Sequence, residues 1–336
     1  MTDSIITFKN LQENLSKIIL GQDHLIERLL IVLLADGHLL VEGAPGLAKT
    51  RAIKTLGEMI EGDFHRIQFT PDLLPADVTG TEIYRPQQGI FHFQKGPVFH
   101  NLILADEINR APAKVQSALL EAMAENQVTI GGETYNLPRL FLVMATQNPI
   151  EQEGTYPLPE AQLDRFLLNV LIDYPSIENE LNIMRLVREE KLNLSESDFS
   201  KKNNNNEKIK KKSDLKKISE ENIFTARNEV LRIYMSSEVE KYLVEIIAAT
   251  RSPENYSEEL ARLLTWGASP RASLSFDRCA RARSWIRERD FVTPEDIQDL
   301  ALDVLRHRII LSYEAESEGI SKEQVINKIL EIVSVT

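Results

Sequence analysis

Apolar and polar positions follow two different periods over the first half of the chain. Near-continuous apolar runs of strand length occur at His38-Leu39-Leu40-Val41, at Leu102-Ile103-Leu104-Ala105, at Leu140-Phe141-Leu142-Val143-Met144-Ala145 and over residues 166–172. Such runs suit strands covered on both faces. Phe64-His65-Arg66-Ile67-Gln68-Phe69 alternates instead and reads as a half-buried strand. Residues 8–20, 23–35 and 51–60 carry apolar positions at helical spacing, with Gly21 as a stop signal between the first two. Strands alternating with helices to about Asp173 predict a doubly wound parallel sheet of the α/β class.

Two pairs of shorter runs interrupt this order. Residues 82–85 and 90–93 flank Pro86-Gln87-Gln88-Gly89, and residues 127–130 and 133–136 flank Gly131-Gly132. Both predict hairpins, the second with a two-residue tight turn. A hairpin inserted in an α/β domain is either an excursion or a working part, and the sequence favours the excursion.

Periodicity stops over residues 195–217, where Asn203-Asn204-Asn205-Asn206 and Lys210-Lys211-Lys212 leave only Phe199, Ile209 and Leu215 as apolar residues. That composition predicts a flexible solvated linker, and its basic run is the alternative site for a polyanion. From Ile218 onward only helices are visible. Ser237 with Glu240 makes a capping box for a helix to about Arg251. Ser269-Pro270 opens a helix to about Asp290, Thr293-Pro294 opens another, and Ser321 with Gln324 opens the last. The expected division is a core over residues 1–194, a polar Asn/Lys-rich segment over 195–217, and a small all-α domain over 218–336.

Composition narrows the function classes. The 39 basic and 51 acidic residues leave a net charge of −12, which argues against broad binding to nucleic acid or anionic lipid. No apolar run approaches the ~18 residues that would span a bilayer, and Met1-Thr2-Asp3-Ser4 begins no secretory signal. The single cysteine, Cys279, excludes an internal disulfide and suits a reducing compartment, so the expected location is cytoplasmic. The six histidines show no metal-ligand spacing, and no Ser-His-Asp arrangement is legible.

The strongest candidate chemistry is Gly43-Ala44-Pro45-Gly46-Leu47-Ala48-Lys49-Thr50, set between a predicted strand and a predicted helix. Its glycines allow backbone N–H groups to curl around an anion, and the following helix aims its positive end at the same point. Lys49 would reach the β- and γ-phosphates, and the Thr50 hydroxyl would ligate Mg²⁺. Ala48 stands where such loops usually carry Gly; a methyl is tolerated if the residue is already helical.

A second stretch, Ala105-Asp106-Glu107, ends an apolar run in two acids, where Asp106 would hold the metal through water and Glu107 would polarise the attacking water. A solvated strand end is the alternative. Asn148, after another buried strand, would orient water or touch the γ-phosphate, or would simply start an Asn-Pro turn. Arg165 is either a surface ion pair or a guanidinium offered to phosphate. Arg271, a cation in the first turn of its helix, needs an anionic partner, either a nearby carboxylate or a nucleotide phosphate.

Taken together, these residues resemble the AAA+ ATPases and, within them, the MoxR family. The resemblance rests on Ile19-Leu20-Gly21-Gln22, Glu42 to Thr50, Ala105-Asp106-Glu107-Ile108-Asn109-Arg110-Ala111, Ala145-Thr146-Gln147-Asn148-Pro149, Leu158-Pro159-Glu160-Ala161-Gln162-Leu163-Asp164-Arg165-Phe166 and Gly267-Ala268-Ser269-Pro270-Arg271-Ala272. Ala48 is usual in that family, whereas the polar segment at 195–217 is longer than usual.

The resemblance implies an AAA+ core with a helical lid, using ATP and Mg²⁺. It implies that Lys49 and Thr50 serve phosphate and metal, that Asp106 and Glu107 are metal-side acid and base, and that Asn148 is the first sensor. It makes Arg271 a second sensor on the lid, and Ile19, Gly21 and Gln22 the border of the adenine. It makes Arg165 a finger reaching the nucleotide of a neighbouring subunit in a ring, generally a hexamer. The expected work is chaperone-like remodelling or activation of protein clients, alongside a separate protein with a von Willebrand factor A domain. The rival readings are a magnesium-chelatase-like motor subunit, which shares the inserted hairpins, and a nucleic-acid motor, which the charge disfavours.

Overall fold

A computed structural model describes residues 2–44, 46–47, 49–149, 154–203 and 217–335, with side chains omitted over 193–203. The strands are β1 (Leu39–Gly43), β2 (Phe64–Gln68), β3 (Gly80–Arg85), β4 (Ile90–Lys95), β5 (Leu102–Asp106), β6 (Gln127–Ile130), β7 (Glu133–Asn136), β8 (Leu142–Gln147), β9 (Leu168–Ile172), β10 (Leu264–Trp266) and β11 (Ile310–Leu311). Five of them form a parallel sheet in the order β2-β5-β8-β1-β9.

The period of two explains why these runs are apolar throughout. Leu39, Val41, Leu102, Leu104, Leu142 and Met144 join one buried cluster, while Leu40, Ile103, Ala105, Val143 and Ala145 join another on the opposite face. A parallel sheet with crossover helices on both faces requires that double coverage. Because all five strands are parallel, their carboxyl ends form one edge of the sheet and their amino ends the other.

Both predicted hairpins are present. β3 pairs with β4 and β6 with β7, the second through Gly131 and Gly132 with φ of 60° and 87°. The hairpins support each other: the Phe93 and Tyr135 rings stack at 4.3 Å, and the Glu82 carboxylate lies so close to Gly131 that a Cβ there would sit 2.3 Å from it. The tip of the first hairpin exposes Ile83, Tyr84, Ile90 and Phe91.

The C-terminal part is helical, with two departures from expectation. β10 and β11 pair antiparallel, a ladder too short to leave a periodic signal. The helix Ser237–Arg251 is capped one residue earlier than predicted, since the Ser236 hydroxyl accepts from the Val239 N–H. The caps at Ser269, Thr293 and Ser321 are as expected. The helix Ile177–Asn203 also runs into the stretch that composition marked as irregular. Extending an existing helix avoids the nucleation penalty, so polar residues can propagate it without packing. Residues 204–216, the rest of that stretch, lie outside the described residues.

Buried ion pairs tie the helical part to the sheet. The Arg28 Nε donates to Asp303 at 2.7 Å, and Arg306 donates to both Asp303 (2.9 Å) and the Asn169 carbonyl on β9 (2.8 Å). Arg308, 1% exposed at its side chain, donates to the Asp164 carboxylate (2.8 Å) and to the Phe166 carbonyl (2.6 Å). Asp296 is wholly buried and accepts from Arg283, Arg289, Ser284 and the Thr293 N–H.

Burial would raise the Asp296 carboxyl, but the Arg289 and Ser284 hydrogen bonds and the Thr293 N–H outweigh it and hold the group down at about 2. A depressed carboxyl stabilises the fold above its unfolded value and loses that contribution as pH falls through the folded one. The melting temperature is therefore expected to drop as pH falls from about 3.8 toward about 2. Asp296→Asn should melt lower at pH 7 and show a shallower acid limb in calorimetry.

Candidate functional site

The carboxyl edge of the sheet gathers most of the predicted chemistry. Gly43 ends β1 so close to β9 that a Cβ would meet Ile172 Cγ1 at 2.5 Å and the Ile172 carbonyl at 2.7 Å. Gly46 takes φ of +85°, a turn that side chains resist. Lys49 and Thr50 then open the helix Lys49–Met59, while Pro45 and Ala48 lie outside the described residues. Ala44 and Leu47, within the loop, are buried.

The Lys49 Nζ donates to the Gly43 carbonyl at 2.7 Å and the Gln147 carbonyl at 3.4 Å, so it spans from β1 to the end of β8. Burial pushes its ammonium below the usual lysine range; the charges of Asp106, Glu107 and Glu42 act against that. The lysine is thus within electrostatic reach of both acids, as a shared phosphate site requires.

Asp106 ends β5 and is 9% exposed. Its Oδ1 accepts from the Thr146 hydroxyl at 2.6 Å, and that hydroxyl accepts from the Glu107 N–H at 2.9 Å. One threonine on β8 therefore fixes both acids. Glu107 has φ 56° and ψ 51°, a left-handed conformation that costs a non-glycine residue about 1–2 kcal/mol. Strain of this kind persists where surrounding contacts enforce it and collects at functional sites. Asn148 is buried just past the end of β8, one residue from the Lys49 contact at Gln147.

Four residues of this site carried no role in the sequence reading. Arg66 donates to Asp106 Oδ2 through Nε (3.0 Å) and a terminal nitrogen (2.6 Å). Gln68 donates to Glu107 Oε2 at 2.9 Å, and the Arg110 Nε pairs with the same oxygen at 3.0 Å. Thr146 completes the set. Arg66 and Gln68 are the polar phase of β2, the edge strand beside β5. The alternation in that strand was the available signal, since it directs every second side chain along the flank of the acids.

The nucleotide-border residues divide. Gln22 donates to the Asp173 carbonyl just past β9, and Gly21 packs against the Asn179 side chain, so this turn stands beside the carboxyl end of β9. Ile19 is 0% exposed and belongs to the core, so in this arrangement it offers no surface to a base.

Arg165 and Arg271 lie elsewhere. Both line a cavity of about 310 Å³ together with Asp36, Gly37 and His38, which precede β1. The Leu167 N–H donates to the His38 carbonyl, so this is the amino edge of β9 and β1. Gly43 is five residues further along β1, roughly 16 Å away at about 3.3 Å per residue. Arg165 donates to the Leu120 carbonyl at 2.7 Å. Arg271 pairs with Asp164 at 3.8 Å, so its anionic partner within the chain is a carboxylate.

Arg271, expected as a second sensor on the lid, therefore does not lie over the phosphate loop of its own chain. Asp164 explains why: it accepts from the Ser269 hydroxyl at 2.7 Å and from Arg308, which draws the start of the helix Pro270–Ile286 to the amino edge.

Among the described residues, no group of three or more His, Cys, Asp or Glu could hold a metal by itself. Cys279 is buried, with burial pushing its thiol up to about 12. No helix among the described residues is long and apolar enough to cross a membrane.

The chain resembles known proteins over most of its length. Residues 38–168 match the ATPase family associated with various cellular activities, and residues 259–329 match the AAA lid domain. The chain is 46% identical to the chaperone MoxR1 of Mycobacterium tuberculosis, over 95% of this chain and 79% of that protein. It is 29% identical to the MoxR protein of Methylorubrum extorquens, over 89% and 86% of the two chains. The crystal structure of a candidate ATPase from Cytophaga hutchinsonii superposes with a TM-score of 0.86 at 47% identity, covering 99% of this chain and 96% of that one. With the carboxyl-edge site and these relatives together, the chain belongs to the MoxR family of AAA+ ATPases.

Proposed function

We propose that this ATPase works as a head-to-tail ring, with each nucleotide held at the carboxyl edge of one subunit and completed by the amino edge of the next. The observation that carries this reading is the separation of roughly 16 Å between the two edges of β1. Lys49, Asp106, Glu107 and Asn148 gather at one edge, and Arg165 and Arg271 at the other. Arg271 thereby acts alongside Arg165 on the neighbour's nucleotide, in place of a role on its own. A hexamer is the ring size this family suggests.

Mg²⁺ suits the residues present. It prefers hard oxygens, keeps several waters, and is bound through one or two carboxylates plus substrate phosphates. The Asp106 carboxylate and the Thr50 hydroxyl are such donors, and Arg66 holds the Asp106 carboxylate in the meantime. When bound, the metal would neutralise phosphate charge. Lys49 would hold the β- and γ-phosphates, Thr146 would keep the acids oriented, and Glu107 would position water once released by Gln68 and Arg110.

The work done is remodelling of protein clients in the cytoplasm. The name of the Mycobacterium tuberculosis relative supports a chaperone role, and the apolar tip formed by Ile83, Tyr84, Ile90 and Phe91 supports direct contact with protein. The division into a core over 1–194, a connecting segment over 195–217 and a lid over 218–336 belongs to the same reading, as does a separate von Willebrand factor A partner. Lys49→Ala tests the site: fluorescent ATP should bind at least about tenfold more weakly, the equivalent of one lost charge-assisted contact. Unchanged affinity would remove the loop from the nucleotide site.

A further inference from the structure

We infer that the seam between the sheet and the helical part holds a second anion site, built for the phosphate group of a small molecule. It is a cavity of about 360 Å³, near the lower end of the range for small-molecule sites. Four arginines line it: Arg139 just before β8, Arg227 on the helix Glu220–Val230, and Arg278 and Arg281 on the helix Pro270–Ile286. The lone acid in the lining is Asp36. In a chain with a net charge of −12, four guanidiniums set against Asp36 and, from outside the lining, the Asp277 partner of Arg281 still leave a local excess of positive charge.

The internal contacts do not use up these charges. The Asp36 carboxylate is taken by Arg227 at 2.6 Å, while its carbonyl accepts from Arg278 at 2.6 Å. Arg227 is 9% exposed; its Nε donates to the Leu33 carbonyl, yet its Nη2 has no hydrogen-bond partner. Arg281 is anchored by Asp277 and the Ile233 carbonyl.

Arg139 and Arg227 both lie over the Phe224 ring, at 4.4 Å and 5.5 Å from its centroid. One aromatic ring thus assembles two like charges, and a buried donor left without a partner is costly. An incoming anion relieves the repulsion between the like charges. Burial lowers the Arg227 guanidinium; Asp36 acts against that, and the Arg278 charge is a smaller addition to it.

The arrangement selects the chemical class. Guanidinium forks converging from three segments match a tetrahedral, multiply charged phosphate better than a planar carboxylate, which takes one fork side by side. Leu34, Val230 and Leu231 supply an apolar wall for the rest of the ligand. The cavity is not the one at Arg165 and Arg271; the two share only Asp36 and Arg278. Because its walls come from both sides of the seam, the bound phosphate ties the sheet to the lid.

The test is calorimetric titration with pyrophosphate, in Lys49→Ala so that the phosphate loop is disabled. One molecule should bind per chain and raise the melting temperature. Adding Arg139→Ala, at an exposed residue whose loss leaves the core intact, should weaken binding about tenfold, and Arg278→Ala should act likewise. Adding Arg165→Ala instead should change nothing. Absence of binding, insensitivity to Arg139→Ala, loss with Arg165→Ala, or equal binding of glutarate would each overturn the assignment. ATP binding by the unmodified protein is read separately, so failure here leaves the nucleotide-site reading intact.

Discussion

Glu107→Gln should bind ATP as tightly as the unmodified chain while hydrolysing it about 100- to 10,000-fold more slowly, the range for losing a positioned general base. The substitution is nearly isosteric. The Gln68 amide and the Arg110 guanidinium can still donate to the remaining oxygen, and the left-handed backbone at 107 is pinned by Thr146 through the main chain. Binding depends on the loop around Lys49, which this change does not touch. Equilibrium binding of a fluorescent ATP analogue and a phosphate-release assay on the same preparation separate the two effects. A normal turnover rate would exclude Glu107 as the base.

Arg165→Ala should lower turnover about 10³- to 10⁵-fold, the range for removing an arginine supplied to a phosphoryl-transfer site. The expected cause is distinctive, because the arginine lies at the opposite edge of the sheet from its own chain's Lys49. Affinity for ATP measured on dilute, dissociated chains should therefore be unchanged. The fold should also tolerate the change, since Arg165 gives up a single bond to the Leu120 carbonyl while Asp164 keeps its contacts with Arg308 and Ser269. Arg271→Ala should share the defect more mildly, because Arg271 is already engaged with Asp164 at 3.8 Å.

The sequence disclosed different parts of this account for different reasons. β1, β5 and β8 are readable because double-sided burial makes them continuous apolar runs, and the Gly131-Gly132 turn is readable because few residues accept its backbone. The loop at Lys49 and the acids at the end of β5 are local, so spacing alone brings them into view. The cap at Ser236 was hidden by a second serine beside it, and β10 and β11 were too short to show a period.

The position of Arg271 was out of reach for a deeper reason. It depends on Asp164 and Arg308 meeting across 144 residues of chain, a pairing that no local pattern encodes. Arg66 and Gln68 show an intermediate case: their alternation is visible in β2, but only the placement of β2 beside β5 gives that alternation a chemical meaning.

The most direct test of a site shared between subunits is complementation. Glu107→Gln chains keep the arginine but lack the base, and Arg165→Ala chains keep the base but lack the arginine. Mixed in equal amounts and assembled at random, about a quarter of head-to-tail interfaces would join an intact base to an intact arginine. The two nearly inactive preparations should hydrolyse ATP when mixed. No gain in activity from a mixture shown to contain mixed assemblies would contradict it.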